Sequence, residues 1–422
     1  MSMIDYDARP VTPQVVLVGY RASGVGYTLR DFLSRNGIPY EWVDFDEAAR
    51  IEDLLPAGER NPDLLPVCIL PNGTRLAPAT LEAVAEGLGM VSAPRLSEYD
   101  LTIVGAGPSG LAAAVYATSE GLRTLAIEAV APGGQAGTTS MIENYLGFPQ
   151  GISGSELATR ATAQARRFGA EILLARRLVD IAQDDPGYGV RLSDGTTVRS
   201  RALLLASGVE WRRLEIPGLD ELLGSGVYYG AGPSEAVTCS GCHVAIVGGG
   251  NSAGQAVVRF SRYAARVSLV VRGPSLESSM SQYLIEQVSR IPNVDILTNT
   301  RVVDLESDGR LRAVTVDTAG TMERLPAEAL FICIGGVPRT EGAIRVGLAL
   351  DEAGYVPTGA AINPSDGWPL ARQPLPLETN LPGLFAAGDV RSGSIKRCAA
   401  AIGEGSMAVA LVHQRLAEIG GE

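Results

Sequence analysis

Histidine and cysteine are scarce in this chain. Its 422 residues include two histidines, His243 and His413, and five cysteines. So few histidines argue against a histidine-based catalytic triad or a metal cluster, and we expect no bound metal. The cysteines are odd in number and widely scattered, at positions 68, 239, 242, 333 and 398. This pattern is typical of a reducing cytoplasm and argues against a disulfide framework.

Long apolar runs are absent as well. No stretch approaches the roughly 18 apolar residues that a membrane-spanning helix needs. The N-terminal segment MSMIDYDARP lacks the basic and apolar regions of a signal peptide. Acidic residues outnumber basic ones, 47 to 35, which gives a net charge of -12. This balance argues against nucleic acid or an anionic membrane as a partner. We therefore expect a soluble globular protein of two to three domains.

The most informative stretch begins at Leu101. An apolar run ends in G-A-G-P-S-G, a helical pattern follows, and a second apolar run ends at Glu128. This order of strand, glycine turn, helix and strand is the βαβ fingerprint of a dinucleotide site. Gly105 allows the tight turn, Gly107 lets the backbone approach a pyrophosphate, and Gly110 lets helix and strand pack closely. Glu128 is placed to accept hydrogen bonds from ribose hydroxyls. The alternative is a plain glycine-rich turn.

A second fingerprint of the same kind begins at His243. It reads HVAIVGGGNSAGQAVVRFSRYAARVSLVVRG, with the turn G-G-G-N-S-A over Gly248 to Ala253. Its second strand ends in Arg272 instead of an acid. An arginine at that point favours the 2′-phosphate of NADPH, and hence NADPH over NADH. The alternative is a Rossmann-like fold that keeps little affinity for a nucleotide.

Three further segments carry a resemblance to a known family. They are G-G-Q at 133–135, E-N-Y-L-G-F-P at 143–149 and F-A-A-G-D-V at 385–390. They resemble the flavin-contacting segments of thioredoxin reductases, and the resemblance covers about residues 99–422. It implies FAD as a cofactor, two Rossmann-like domains and a homodimer.

The resemblance assigns residues to two cofactor sites. At the NADPH strand end the family has a histidine and two adjacent arginines, whereas this chain keeps only Arg272, so we expect weak use of NADPH. The residues expected to contact FAD are Gly105, Gly107, Pro108, Ser109, Gly110, Glu128, Gly134, Gln135, Asn144, Gly208, Gly388, Asp389, Arg397, Cys398 and Ala399. Those expected to contact NADPH are Gly248, Gly250, Asn251, Ser252, Ala253 and Arg272.

Residues 14–89 form a unit of their own. Strand and helix signals follow the order βαβββα, with Pro66 opening the third strand. This order resembles a thioredoxin or glutaredoxin fold, in which that proline is cis and a dithiol opens the first helix. Here the helix opens with A-S-G-V at 22–25, and Cys68 follows the proline into an apolar strand. We expect a structural or docking domain without dithiol chemistry, with Cys68 in its core.

The chain as a whole is expected to be α/β, with two Rossmann-like nucleotide-binding domains of thioredoxin reductase architecture preceded by the small thioredoxin-like domain. The FAD domain is discontinuous because the second nucleotide-binding domain is inserted into it. The expected boundaries are a thioredoxin-like domain at 1–92, a linker at 93–99, the first part of the FAD domain at 100–214, the NAD(P)H-binding-like domain at 215–326 and the second part of the FAD domain at 327–422.

Two cysteines are a candidate redox pair. Thioredoxin reductases carry a C-x-x-C in the inserted domain, and this chain has C-S-G-C from Cys239 to Cys242. The family's pair lies further ahead of the nucleotide turn than Cys242 lies ahead of Gly248. Alignment on that strand places the family's cysteines on Ala231 and Ser234. We therefore expect a small-residue turn at 239–242, and keep Cys239, Cys242 and Ser234 as candidate catalytic positions.

Cys398 is the remaining catalytic candidate. The sequence R-C-A at 397–399 stands where the family has R-Q-A, whose backbone meets the pyrimidine edge of the flavin. Cys398 should therefore lie near the isoalloxazine, and the helix that starts there would lower the pKa of its thiol. The alternative is a small side chain that packs beside the ring. Cys333 lies in an apolar strand and is expected in the core.

One segment departs from the family. Residues 363–380 are rich in proline and longer than the usual connection. We expect them to wall the flavin site or the dimer interface, or else to form an irregular surface loop.

The function that follows is that of an FAD-dependent oxidoreductase. Its substrate, a thiol, a disulfide or another small or carrier-bound molecule, would meet the flavin directly, with NADPH or oxygen as the redox partner. Two alternatives stay open. One is an NADPH-dependent thioredoxin-disulfide reductase that uses Cys239 and Cys242. The other is a non-catalytic flavin-binding sensor or partner protein, which steady-state consumption of NADPH would exclude.

Overall fold

The chain divides into two compact units, one that ends at Met90 and one that begins at Val91. In the described part of the chain, no helix is long and apolar enough to cross a membrane. The computed structural model describes residues 14–20, 23–90, 93–139, 142, 145–219, 222–223, 225–229, 236, 239–363 and 367–420.

The first unit is a mixed four-stranded sheet with helices. Its elements are β1 (Val15–Gly19), α1 (Gly24–Arg35), β2 (Tyr40–Asp44), α2 (Ala48–Leu54), β3 (Val67–Ile69), β4 (Arg75–Leu76) and α3 (Leu81–Gly87). The sheet has the order β2-β1-β3-β4. Strand β1 is parallel to β2 and antiparallel to β3, and β3 is antiparallel to β4. The predicted order βαβββα omitted α2, whose seven residues bury only Ile51 and so give little periodic signal.

Helix α1 is fixed by its first residues and by its buried face. The Oγ of Ser23 accepts a hydrogen bond from the Gly26 amide at 3.1 Å, so this serine caps the N-terminus of the helix. Leu29, Phe32 and Leu33 are fully buried. The Leu65–Pro66 peptide is cis.

Cys68 lies in the core of this unit, as predicted. It is 0% exposed within β3. Burial raises the pKa of its thiol to about 12, so the thiolate, the reactive form, is not populated near neutral pH.

The larger unit begins with a sheet that is parallel in its centre. Its first elements are β5 (Glu98–Val104), α4 (Pro108–Ser119), β6 (Thr124–Ile127), α5 (Gly154–Arg167), β7 (Glu171–Leu173), β8 (Leu178–Asp184), β9 (Gly187–Leu192) and β10 (Thr197–Leu205). The strand order is β7-β6-β5-β10-β9-β8. Strands β5, β6, β7 and β10 are parallel, and β8 and β9 form an antiparallel hairpin on the edge.

A second nucleotide-type sheet follows in the chain. The elements are β11 (Val209–Trp211), β12 (Val227–Tyr229), β13 (His243–Val247), α6 (Asn251–Phe260), β14 (Arg266–Val270), α7 (Gln282–Ser289), β15 (Val294–Leu297), β16 (Thr300–Ser307), β17 (Leu311–Thr318), β18 (Thr321–Pro326), β19 (Ala329–Ile332) and β20 (Gly336–Pro338). Strands β12-β19-β13-β14-β15 form a parallel sheet, and β16-β17-β18 form an antiparallel one.

The chain then returns to the first sheet. Helix α8 (Glu341–Ile344), strand β21 (Leu384–Ala386) and helix α9 (Cys398–Gly420) complete the unit. Strand β21 pairs with β10 in parallel, and the outgoing and returning segments pair with each other as the ribbon β11–β20. The inserted sheet is thus carried on a two-stranded connection. This is the predicted α/β architecture with two nucleotide-binding sheets.

The proline-rich segment 363–380 is held by a buried carboxylate. Glu378 is fully buried and accepts hydrogen bonds from Arg372, at 2.7 and 3.1 Å, and from the amides of Leu375 and Gly383. Arg372 also contacts Glu418, near the C-terminal end of α9.

The expectation that this segment walls the flavin site or the dimer interface, or else forms an irregular surface loop, stays a prediction. The twenty residues that separate Cys398 from Glu418 on α9 span about 30 Å of helix. The contact of Arg372 with Glu418 is therefore far from Cys398, but the end of the segment lies along the flavin motif, where the Ala386 amide donates to the Leu377 oxygen at 2.9 Å.

We expect Glu378→Gln to lower the free energy of unfolding by about 3 kcal/mol, because it removes the buried one of the two carboxylates that hold Arg372. Chemical denaturation followed by circular dichroism measures the change. The matched control is Arg324→Gln, which breaks the exposed pair with Glu306 and should cost less than about 1 kcal/mol. Equal losses in the two variants would show that Glu378 is not the anchor.

Candidate functional site

The first glycine turn follows β5 and opens α4. Gly105 has a φ of 103°, and a Cβ on it would lie 2.4 Å from the carbonyl oxygen of Ala206. A Cβ on Gly110 would lie 1.8 Å from the oxygen of Gly105. Pro108 occupies the first turn of α4. A backbone N–H at this position has no partner within the helix, so the lack of an N–H in proline costs no hydrogen bond. Gly105 and Gly110 are therefore required by packing, as the fingerprint predicts.

Gly107 has a different role, because the space beside it is open. A Cβ there would meet no protein atom closer than the Cα of Gly134, at 3.8 Å. Gly134 has a φ of 53° and faces Gly107 in turn. The two glycines form a cradle without side chains at the N-terminus of α4, where the helix dipole favours an anion. A pyrophosphate fits this cradle.

Glu128 follows β6 and is buried beside the turn. Its Oε2 accepts a hydrogen bond from the Ala106 amide at 2.8 Å, and its Oε1 accepts one from the Val130 amide at 2.9 Å. Each carboxylate oxygen keeps capacity for one further donor, such as a ribose hydroxyl. The acid thus both braces the glycine turn and remains available to a ligand.

The second FAD motif meets the first at one edge of the sheet. Strands β5 and β21 both pair with β10 in parallel. Gly105, Gly208 and Gly388 therefore come together at the carboxyl ends of neighbouring strands, where cofactors bind in such sheets. Ser109 packs against Gly388, and its buried hydroxyl has no hydrogen-bond partner in the described part of the chain. An orphaned hydroxyl at this edge fits a site built for a polar ligand.

The loop after β21 is held by residues that the sequence analysis missed. Glu404 accepts hydrogen bonds from the Gly388 amide, at 2.7 Å, and from Arg391. Lys396 donates from Nζ to the carbonyl oxygen of Asp389 at 2.6 Å. In the sequence, Glu404 is marked only as a single acidic residue among the small and apolar residues of the first turns of α9. Nothing in the sequence marked Lys396.

Gln135 and Asn144 are two further predicted FAD contacts. The Nε2 of Gln135 donates to the Val209 carbonyl at 2.7 Å, so its side chain braces the start of β11. Asn144 lies outside the described residues.

The third predicted contact is the start of α9. Arg397 and Ala399 flank Cys398, the first residue of the helix. Burial, together with the nearby carboxylate of Asp389, raises the pKa of the Cys398 thiol to about 11. The prediction of a lowered thiol pKa is therefore wrong, because desolvation at this position outweighs the helix N-terminus. Cys398 is a neutral thiol near pH 7.

The second glycine turn follows β13 and opens α6. Gly248 has a φ of 144°, and a Cβ on it would lie 2.2 Å from the oxygen of Cys333. The space beside Gly250 is open by comparison, because a Cβ on it would meet no atom closer than the Ser279 oxygen, at 3.7 Å. Ala253 is fully buried, and Ser252 on the first turn is exposed. The turn repeats the arrangement of the first, with a packed glycine and an open one.

One chain of hydrogen bonds links this turn to the flavin motif. The Oδ1 of Asn251 accepts from the Ser281 amide at 2.7 Å, and the Oγ of Ser281 accepts from Nη2 of Arg397 at 3.3 Å. The nucleotide turn of the inserted domain therefore faces the start of α9. Arg272 lies two residues beyond β14 and is exposed.

Of the remaining cysteines, Cys333 lies beside the second turn, and Cys242 lies at the opposite end of β13 from it. Cys239 is 6% exposed and packs in the core around Val244 and Phe260. Cys242 directly precedes β13, and burial, with Glu328 nearby, raises the pKa of its thiol. Cys333, as predicted, is a core residue, and burial raises its pKa to about 12. Ser234 lies outside the described residues.

The five cysteines are all thiols. None of the five forms a disulfide. In the part of the chain that the structure describes, no group of three or more His, Cys, Asp or Glu side chains could hold a metal ion.

Comparison with known proteins agrees with this geometry. Residues 99–405 match the family model of the pyridine nucleotide-disulphide oxidoreductases. The chain is 34% identical over 321 residues to a thioredoxin reductase of Listeria innocua, covering 74% of this chain and 91% of that protein. It is 34% identical over 328 residues to a thioredoxin reductase of Bacillus subtilis, covering 76% and 96% respectively. The solved structure of Lactococcus lactis thioredoxin reductase matches with a TM-score of 0.68 at 25% identity, over 76% of this chain and 99% of that chain.

The fold and the two glycine turns define a flavoprotein with two nucleotide sites. The chain belongs to the pyridine nucleotide-disulphide oxidoreductase family and is a thioredoxin reductase-like, FAD-dependent oxidoreductase. Its cofactors are FAD and NADPH.

We expect Gly107→Val to purify without bound FAD while the fold is retained. A Cβ on Gly107 meets no protein atom closer than 3.8 Å, so the new side chain would enter the space that the fingerprint assigns to a pyrophosphate. The flavin absorbance of the purified protein and its circular dichroism spectrum measure the two properties. Gly110→Ala is the contrasting variant, and it should lose folded protein because its Cβ meets backbone. A yellow, FAD-loaded Gly107→Val protein would place the pyrophosphate elsewhere.

Proposed function

We propose that this oxidoreductase acts on its substrate directly at the flavin, without a protein dithiol between them. The substrate would be a thiol, a disulfide or another small or carrier-bound molecule, with NADPH or oxygen as the redox partner. The observation that carries the proposal is the position of Cys239 and Cys242. Cys242 enters β13 at its amino end, whereas the nucleotide turn at Gly248 leaves from its carboxyl end.

Distance supports this reading. A strand rises about 3.3 Å per residue, so the five residues of β13 separate Cys242 from the turn by roughly 16 Å. The hydrogen bond between Arg397 and Ser281 brings the carboxyl edge of the inserted sheet towards the flavin motif. The cysteine pair lies at the opposite edge.

The chemistry of the two thiols agrees with their position. The thiolate is the form that attacks a disulfide or a flavin. Burial raises the pKa of Cys242, so the protonated thiol predominates further above neutrality than in an exposed cysteine. Cys239 is enclosed in apolar core, where attack by a partner protein would require local unfolding.

The residues of the chain have distinct tasks in this scheme. Bound FAD supplies the two-electron chemistry. The cradle of Gly107 and Gly134 would hold the pyrophosphate, and the Glu128 carboxylate would accept hydrogen bonds from the ribose hydroxyls. Lys396 places a positive charge beside Asp389. Burial raises the pKa of the Asp389 carboxyl, and the charge of Lys396 counteracts part of that rise. Cys398 contributes a small neutral side chain at the start of α9.

The N-terminal unit is proposed to be a thioredoxin-like domain without a dithiol that serves as a docking or structural part. Its sheet order and the serine cap of α1 support this assignment. We also propose a cytoplasmic homodimer, supported by the five scattered thiols and by the family. The domain boundaries are proposed as expected from the sequence, with units at 1–92, 100–214, 215–326 and 327–422 and a linker at 93–99.

The competing function is reduction of a thioredoxin disulfide through Cys239 and Cys242. It is favoured by the relatives in Listeria innocua and Bacillus subtilis, which are both thioredoxin reductases. The two functions differ in whether electrons pass through a protein dithiol.

We expect Cys242→Ser, and the double variant with Cys239→Ser, to keep the wild-type rate of flavin reduction by NADPH. Anaerobic stopped-flow absorbance measures this rate. Wild type should not turn over a thioredoxin disulfide at the expense of NADPH. The single variant guards against misfolding, since Cys242 is only partly buried whereas Cys239 is in the core. Robust thioredoxin reduction that disappears in both variants would establish the competing function.

A further inference from the structure

An open cleft of about 400 Å³ lies beside the strand end that the sequence analysis assigned to NADPH. Its wall carries two arginines and one carboxylate, together with backbone of the neighbouring turns. The residues that line it include Arg272, Asn299, Arg301, Asp317, Ala319 and Gly320.

Backbone hydrogen bonds explain why these residues meet. The chain turns at Asn299, which has a φ of 53°. The Asn299 amide donates to the Gly273 oxygen at 2.9 Å, and the Thr300 amide donates to the Val271 oxygen at 3.0 Å. The start of β16 therefore runs along the segment that follows β14. Arg301 is brought beside Arg272 although 28 residues separate the two positions.

Arg301 is oriented by a buried carboxylate. Its Nε and Nη2 donate to Oδ2 of Asp317 at 3.0 and 2.8 Å, and the amide of Gly320 donates to Oδ1 at 2.7 Å. The Asp317 side chain is 9% exposed, whereas that of Arg301 is 67% exposed. One edge of the guanidinium is thus fixed, and Nη1 is directed to the solvent side. Arg272 forms no ion pair with any residue that the structure describes.

We propose that Arg301, positioned by Asp317, is a second guanidinium for the 2′-phosphate of NADPH and determines the preference for NADPH over NADH. The proposal rests on the use of NADPH by this family of enzymes. A 2′-phosphate binds where the second strand of a βαβ unit ends, which is the position of Arg272. Arg301 would replace the adjacent arginine that this chain lacks at Gly273.

Charge and order both support this role. Two arginines and one carboxylate leave the cleft with a net positive charge, which suits a phosphate. Because Asp317 already holds Arg301, less side-chain entropy is lost when the arginine binds an anion. The Arg301 bond also keeps the pKa of Asp317 below its usual value, so the carboxylate stays charged and keeps the arginine in place at neutral pH.

The test measures binding of 2′,5′-ADP and of 5′-AMP to the full FAD-loaded chain by isothermal titration calorimetry. These probes differ only in the 2′-phosphate. We expect Arg301→Ala to raise the Kd of 2′,5′-ADP about tenfold or more, as for the loss of a charged hydrogen bond. The Kd of 5′-AMP should stay within about twofold. Arg301→Lys should show a smaller loss, because the charge remains but the fork geometry is lost.

The matched control is Arg324→Ala. Arg324 lies on β18 of the same antiparallel sheet and is paired with Glu306, but it does not line the cleft. It should leave both Kd values unchanged. The double variant Arg301→Ala, Asp317→Ala removes the buried carboxylate together with its partner and should show the same selective loss as Arg301→Ala.

Three results would overturn the proposal. They are an unchanged Kd of 2′,5′-ADP in Arg301→Ala, an equal loss for both probes in the single and double variants, or a wild type that binds neither probe. The visible spectrum of the bound flavin is independent of all three, so failure here leaves the proposed chemistry at the flavin intact.

Discussion

The FAD site depends on how closely helices α4 and α9 approach each other. A Cβ on Gly405 would lie 2.1 Å from the oxygen of Ser109, so the two helices pack backbone against backbone. Glu404, the neighbour of Gly405, then reaches the amide of Gly388 and fixes the second FAD motif against the first turn. Segments that lie far apart in the sequence become one edge of one sheet. A larger residue at Gly405 would separate them.

The two glycine turns could be predicted because the sequence pattern that marks each of them is local. Gly105 and Gly110 meet within one strand, turn and helix, and the apolar runs beside them are those of buried parallel strands. Glu404 and Arg301 could not be predicted in this way, because their partners lie on other elements. The anchor of the proline-rich segment could not be predicted for the same reason, since Arg372 meets Glu378 and Glu418 only in the folded chain. Composition alone gives no sign of such pairs.

The inserted domain shows what local patterns leave undecided. The spacing C-S-G-C is that of a redox pair, yet the structure places Cys239 in the core and Cys242 at the amino end of a strand. The position of Cys398 at a helix start suggested a reactive thiol, but desolvation raises its pKa. In each case burial and the direction of the strand, neither of which a short motif contains, decide the chemistry. Under the proposed function, the flavin itself is the redox centre that a substrate must reach.

The most direct test of this account is to measure the number of electrons that the wild-type protein accepts. Anaerobic titration with dithionite, followed by flavin absorbance, counts them per bound FAD. A flavin acting alone takes up about two electrons, and a flavin coupled to a redox-active dithiol takes up about four. We predict about two electrons per FAD, with no change in the double variant of Cys239 and Cys242. A value of about four that falls to about two in that variant would contradict the account.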